Sequence, residues 1–138
     1  MTVDSPSYLL TSVLQDGQSA GSIVPGSIRT VVNSLCGIAS SQQTASYQPA
    51  LTDIGTCIEM NSSSALNFTV PANATVAFDL GVVIEVCQMG TGQVTLVAAG
   101  GVTLLTPSSL TTRAQYSTVS IRQSQSAVNT WVVSGDLT

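Results

Sequence analysis

Four carboxylates are the first candidates for chemistry in this chain. Asp53, Glu59, Asp79 and Glu85 carry the side-chain oxygens that bind calcium or act as paired acids and bases. Their spacing matches no calcium loop of the D-x-D-x-D-G type. We therefore interpret them as charges at strand edges that face water or an arginine, and we predict no catalytic residue and no metal site.

The sequence contains no histidine or lysine to act as the base that nucleophilic catalysis needs. The 138 residues include no histidine, and the three cations are Arg29, Arg113 and Arg122. Cys87 and the serines would need a base beside them to act as nucleophiles near neutral pH, and the G-x-S-x-G motif is absent. We expect a protein that is not an enzyme and uses no cofactor.

Glycines and cysteines do not change that expectation. Gly90-Thr91-Gly92 and Gly100-Gly101 lack the lysine that a phosphate-binding loop needs, so they predict hairpin turns. The three cysteines, Cys36, Cys57 and Cys87, form no C-x-x-C pair. The N-terminus lacks the basic start and apolar block of a secretory signal, so we expect synthesis in a cytosol. In that compartment an odd number of cysteines is typical of free thiols buried as small apolar residues. A disulfide between Cys57 and Cys87 stays open as the alternative.

The composition excludes two classes of partner. Charged residues make up 7% of the chain and the net charge is −4. Nucleic-acid binding needs clustered cations to displace counterions from phosphates, and a polybasic membrane contact needs a similar cluster. No stretch approaches the ~20 apolar residues of a membrane span. We expect no nucleic acid and no membrane as partners.

Residues 1–50 are predicted to be an extended N-terminal arm with one short helix, over about residues 27–36. Ser27 is a plausible N-cap after Pro25-Gly26, and Gly37 follows at the position of a C-cap glycine. A helix this short must dock its apolar stripe on something else. A second apolar group precedes it at residues 8–14, so the arm is predicted to be an attachment segment.

Residues 51–138 are predicted to form a single β-sandwich or jelly-roll-like domain of about eight short strands, with no internal repeat. The predicted strands are Thr56–Met60, Leu66–Val70, Thr75–Asp79, Val82–Gln88, Gln93–Ala98, Val102–Leu105, Tyr116–Arg122 and Asn129–Ser134. In Val82–Gln88, Ile84 and Val86 share one face while Val83 and Cys87 share the other. Because neither face is strongly polar, a second sheet and a neighbouring subunit are expected to cover them.

A resemblance to a module of tailed-bacteriophage virion proteins covers about the last 85 residues. The segments that carry it are Thr52–Asn61 (TDIGTCIEMN), Phe68–Asn73 (FTVPAN), Gly81–Leu96 (GVVIEVCQMGTGQVTL), Gly101–Leu104 (GVTL), Gln115–Ser117 (QYS) and Trp131–Leu137 (WVVSGDL). The chain departs from such modules at Thr56, where they often have lysine after the glycine. Gly26–Leu35 resembles, more loosely, the short helix that precedes them.

The resemblance implies a trimer-forming, all-β structural module displayed on the virus particle, without enzymatic activity. We expect a capsid decoration or head-fibre protein made in the host cytoplasm, with itself and the major capsid protein as partners. The residues predicted to anchor it are Tyr8, Leu9, Leu10, Val13, Leu14, Ile28, Arg29, Val31, Val32 and Leu35. The alternative is that this arm packs on its own β domain or within the trimer.

A tail fibre or receptor-binding tip is the second function that the resemblance implies, with a host-surface glycan or receptor as the partner. Its binding surface would carry exposed aromatic rings, and the candidates are Trp131, Tyr116 and Phe78. Trp131 lies beside Val132 and Val133 in a predicted strand, which favours burial in the core over a sugar-binding role.

Overall fold

The computed structural model of the protein describes residues 37–138. In this range the chain forms eight strands and one 3₁₀ turn, Leu51–Asp53, and contains no α-helix. The strands are β1 (Ala39–Gln43), β2 (Thr56–Met60), β3 (Leu66–Val70), β4 (Val83–Gln88), β5 (Val94–Ala98), β6 (Thr103–Leu105), β7 (Thr118–Gln123) and β8 (Thr130–Gly135). The predicted all-β class with about eight short strands is confirmed. The predicted helix over residues 27–36 lies outside the described residues.

The strands form two sheets. The larger has six strands in the order β1-β2-β4-β7-β8-β6, and the smaller consists of β3 and β5. The pairs β1–β2, β2–β4, β3–β5 and β6–β8 are parallel, whereas β4–β7 and β7–β8 are antiparallel. Parallel neighbours need a crossover between them, and for β2–β4 and β3–β5 this crossover contains a strand of the other sheet.

The stretch from β2 to β5 winds twice between the two sheets, so that β2 and β3 form one coil and β4 and β5 form a second coil stacked on it. Cys57 pairs with Glu85 and Leu66 pairs with Val94, so the same sequence separation relates neighbouring strands in both sheets. The two predicted hairpin turns were wrong. The Gly90–Gly92 turn is a corner between the two sheets, as is the turn at Gly100-Gly101. The stacking repeats the path of the backbone and not the residue identities.

The core lies between the two sheets. Its buried apolar residues alternate along the strands: Ile58, Met60, Leu66, Phe68, Val70, Ile84, Val86, Val94, Leu96, Val119, Ile121, Trp131 and Val133, together with Phe78 from a loop. The prediction that Ile84 and Val86 face a second sheet is confirmed, and so is the core position of Trp131. The edge of one ring meets the face of the other at the Trp131–Phe78 contact, with centroids 5.5 Å apart.

The strand predicted over Thr75–Asp79 was wrong. The carbonyl of Ala72 accepts bonds from the N–H groups of Thr75 and Val76, so a turn takes up the start of this segment, and its last three residues form a loop. The side chain of Phe78 reaches the core from the loop. The side-chain amide nitrogen of Gln123 faces this loop and donates to the carbonyls of Phe78 and Asp79 at 3.0 Å. Tertiary contacts therefore hold this apolar stretch without a partner strand.

The strand β1 was missed because its sequence, ASSQQ, has little strand propensity. It forms through parallel pairing with β2, in which Ala39 lies opposite Thr56 and Gln43 lies opposite Met60. The sheet consequently begins before residue 51, the boundary predicted between arm and β domain. A role in attachment for residues 1–50 stays a prediction.

Candidate functional site

The outer face of the large sheet carries two of the four carboxylates and two of the three thiols. Cys57 lies opposite Glu85, and Glu59 lies opposite Cys87, so thiols and carboxylates alternate across β2 and β4. All four side chains are half-buried, whereas the residues between them point into the core. They belong to inner strands of the sheet and not to its edges.

Cys57 is poorly suited to nucleophilic chemistry. Burial, together with the nearby Cys87, Glu85 and Glu59, raises the pKa of its thiol to about 11. The thiolate is the reactive form of cysteine, and this environment disfavours it. Both Cys57 and Cys87 are free thiols, and they sit diagonally rather than opposite one another. Cys87 lies 3.7 Å from the sulfur of Met89.

The thiol of Cys57 should react slowly. At pH 7 we expect alkylation by iodoacetamide to be at least about 10-fold slower than for an unperturbed cysteine, because a smaller fraction is ionised. The rate should rise as the pH approaches 11. Intact-mass measurements on the Cys36→Ser/Cys87→Ser variant, in which Cys57 is the remaining thiol, give this rate. The same variant in concentrated urea is the control, and equal rates in both states would contradict the prediction.

The other two carboxylates have different roles. Asp53 is buried, which contradicts its predicted position facing water or an arginine. It accepts hydrogen bonds from the Tyr47 hydroxyl at 2.9 Å and from the Ala50 N–H at 2.8 Å. Asp79 is exposed in the loop before β4. Across residues 37–138, no three histidine, cysteine or acidic side chains come close enough together to hold a metal ion.

A second feature of the same face is a line of residues across the large sheet, apolar except for one arginine, which we name the apolar row. Its members lie on β4, β7, β8 and β6 and at the positions directly before β1 and β2. It consists of Ile38, Gly55, Val83, Arg122, Val132 and Leu105. Val83 pairs with Arg122, Arg122 with Val132, and Val132 with Leu105. At the other end the N–H of Gly55 donates to the carbonyl of Val83 at 2.9 Å.

The two ends of the apolar row have different shapes. Gly55 has no side chain, so the row is interrupted there by a cleft of about 210 Å³, lined by Ile38, Gly55, Thr56, Val83 and Glu85. At the opposite end Leu105 is 49% exposed, although it is a large apolar residue. No sequence pattern predicts this row, because its members come from six segments that are distant along the chain.

The candidate aromatic residues do not form one exposed surface, because Trp131 and Phe78 contact each other inside the core and Tyr116 lies apart from them. Trp131 and Phe78 are buried, while Tyr116 is 67% exposed in the turn before β7. Tyr116 has a φ of +70°, a conformation that costs a non-glycine residue of order 1–2 kcal/mol. The turn is held by its N–H, which donates to the carbonyl of Gln88 at 2.7 Å.

The predicted anchoring residues lie outside the described residues, so the structure does not place them. Within residues 37–138, no helix is long and apolar enough to cross a membrane. No family model, no curated protein and no solved structure matches this chain.

Proposed function

We propose that the protein is a non-enzymatic virion structural protein of a tailed bacteriophage. In this proposal it is a capsid decoration protein that binds the major capsid lattice as a homotrimer and stabilises the head. The proposal starts from the resemblance of residues 52–137 to virion modules. Its localisation would be the capsid surface, after synthesis in the host cytoplasm.

The observation that carries the proposal is the outer face of β4, which is less polar than the outer faces of β1 and β7 in the same sheet. In a sheet with one face toward water, apolar and polar residues normally alternate along each strand, so that the outer face is strongly polar. Here β4 instead presents Val83, Glu85 and Cys87, and the last two are half-buried already in a single chain. A face of this kind suits a protein that covers its surface with copies of itself or with a shell.

Such a protein acts through binding equilibria. A partner that binds the assembled shell and not its free subunits stabilises the shell by mass action. Three linked copies multiply weak contacts, because once one copy is bound the others meet their sites at high effective concentration. Neither step requires a catalytic residue.

A tail fibre or receptor-binding tip that contacts the host surface is the second candidate, and Tyr116 favours it. Its ring is exposed, and its backbone is held in a costly conformation, as is common at ligand-binding positions. Among residues 37–138, however, Tyr116 is the one aromatic residue classed as exposed. Because a single exposed ring offers little area for stacking on a sugar, decoration remains the first proposal.

The copy number per virus particle tests both functions. Quantitative mass spectrometry of purified particles, with the major capsid protein as internal standard, gives this number. For a decoration protein we expect a copy number equal to that of the shell subunit or a fixed fraction of it. A handful of copies, in a multiple of three, would favour the tail instead. Absence from purified particles would overturn both functions.

A further inference from the structure

We propose that residues 8–14 of the N-terminal arm add a further strand to the large sheet, parallel to β1 along its outer edge. This segment lies outside the described residues. The inference goes beyond the virion role, since it names what completes the sheet of the β domain. It follows from the backbone of β1, from a comparison of the two sheet edges, and from the length of chain that precedes β1.

The backbone of β1 has one side without a partner in residues 37–138. The carbonyl of Gln43 accepts from the N–H of Asn61 at 2.7 Å, so the backbone groups of Gln43 point toward β2. Successive residues of a strand direct their N–H and C=O groups to opposite sides. Those of Ser41 therefore also point toward β2, while those of Ser40 and Gln42 point away from it. Within the described range, no strand or isolated bridge pairs with that outer side.

The two edges of the large sheet differ in how well they resist pairing. At the far edge, β6 has only three residues, Thr103–Leu105, and Pro107 follows soon after. Short edge strands and prolines both hinder the addition of another strand. In contrast, β1 has five residues and the sequence ASSQQ, with no charge and no proline. An unprotected edge of this kind is a template for a further strand, so we place the occupant at β1.

The core is also incompletely covered beside β1. Ser41 and Gln43 lie opposite the fully buried Ile58 and Met60 but are themselves only half-buried. A strand next to β1 would cover this end of the core if its inward side chains were apolar. In residues 8–14, three large apolar side chains share one face of a strand: Tyr8, Leu10 and Leu14.

The chain before β1 has the length that this pairing needs. The described chain starts at Gly37, two residues before β1, so the arm is tethered at this edge. The strands β1, β2 and β4 are parallel, and a parallel neighbour needs a crossover of a dozen or more residues. Residues 15–38 exceed that length and contain the helix predicted over residues 27–36, the usual crossover element. The tether favours the arm of the same chain over that of another copy, because it raises the local concentration at β1.

Amide hydrogen exchange of the full chain, followed by NMR, is the first test. We name the N–H groups of Ser40 and Gln42 the edge amides. They should exchange at least about 100-fold more slowly than in the unfolded chain, because a hydrogen-bonded amide must open before it exchanges. The N–H groups of Ser41 and Gln43, which point toward β2, are the internal reference. Fast exchange of the edge amides beside slow exchange of the reference would overturn the proposal.

Two consecutive prolines test which segment lies at β1. One of any two successive N–H groups in a strand points toward its neighbour, so Leu9→Pro/Leu10→Pro removes a bond to β1 whatever the register. This variant should speed exchange of the edge amides at least about 10-fold and leave the reference amides unchanged. Gln18→Pro/Ser19→Pro, between the segment and the predicted helix, is the matched control and should alter neither set. Edge amides that stay slow in the first variant would overturn the assignment of residues 8–14.

Cross-linking tests which copy supplies the segment. Thr11→Cys and Gln42→Cys, in a chain whose own three cysteines are replaced by serine, place one thiol on the segment and one on the exposed side of β1. A short bismaleimide should join the two within one chain, which denaturing mass spectrometry detects as a linked monomer. Covalent dimers or trimers would overturn the proposal in favour of the arm of another copy. A yield no higher than in concentrated urea would overturn the pairing itself.

Discussion

Replacing Gly90 with alanine is expected to lower the free energy of unfolding by at least about 3 kcal/mol. Gly90 lies at the corner where the coil of β4 and β5 stacks on the coil of β2 and β3. A Cβ atom there would overlap the backbone carbonyl oxygen and nitrogen of Ser62. Backbone atoms cannot swing aside as a flexible side chain can, so the two corners would have to separate.

Separating the corners would also break hydrogen bonds. The N–H of Gly90 donates to the carbonyl of Met60 at 3.2 Å, and the N–H of Gly92 donates to the carbonyl of Ser62 at 2.9 Å. The carbonyl of Gly90 accepts from the buried Gln88 amide at 3.1 Å. The loss therefore includes buried polar groups left without partners, which are costly.

Urea denaturation followed by far-UV circular dichroism measures this effect. Gly100→Ala is the matched control, because a Cβ there meets nothing within 4 Å, and its free energy of unfolding should stay within about 0.5 kcal/mol of the unmodified protein. If Gly90→Ala and Gly100→Ala had the same denaturation midpoint, the close stacking of the two corners would be wrong.

Replacing Trp131 with alanine is expected to cost about 3–5 kcal/mol. Its side chain is 1% exposed and is the largest in the core. Removing it leaves a cavity between the sheets and takes away the edge-to-face contact with Phe78, which contributes about 0.5–1.5 kcal/mol beyond burial. The same urea titration measures the loss, with circular dichroism as the signal because the variant has no tryptophan.

Tyr116→Ala is the control for that experiment. It removes another aromatic ring, but one that is 67% exposed, so the free energy of unfolding should change by less than about 0.5 kcal/mol. Comparable losses in Trp131→Ala and Tyr116→Ala would mean that Trp131 is not in the core.

The strands that sequence alone predicted well are those with strict alternation. Thr56–Met60 and Leu66–Val70 have the predicted bounds, and Ile84 and Val86 face the core as expected. Alternation is a local signal, because successive side chains of a strand point to opposite faces and one face must be apolar to be buried. The absence of histidine and lysine is likewise visible in composition.

Other features depended on contacts between distant residues. Gln88 occupies a core position because its side-chain oxygen accepts a bond from the Thr112 hydroxyl, which in turn accepts from the Val94 N–H at 2.9 Å. A glutamine at the end of an apolar strand gives no sign of this arrangement, since its partner lies 24 residues away. Buried polar groups are tolerated where such partners exist.

The sequence by itself determined the class of this protein: short alternating strands, turn residues between them, and a surface with few charges and no histidine. The tertiary structure alone decided that β1 forms, that the chain coils between two sheets, and that the apolar row aligns residues from six separate segments. The physical reason is that alternation acts between neighbours along the chain. Parallel pairing, by contrast, is set by backbone hydrogen bonds and side-chain packing between residues far apart in sequence.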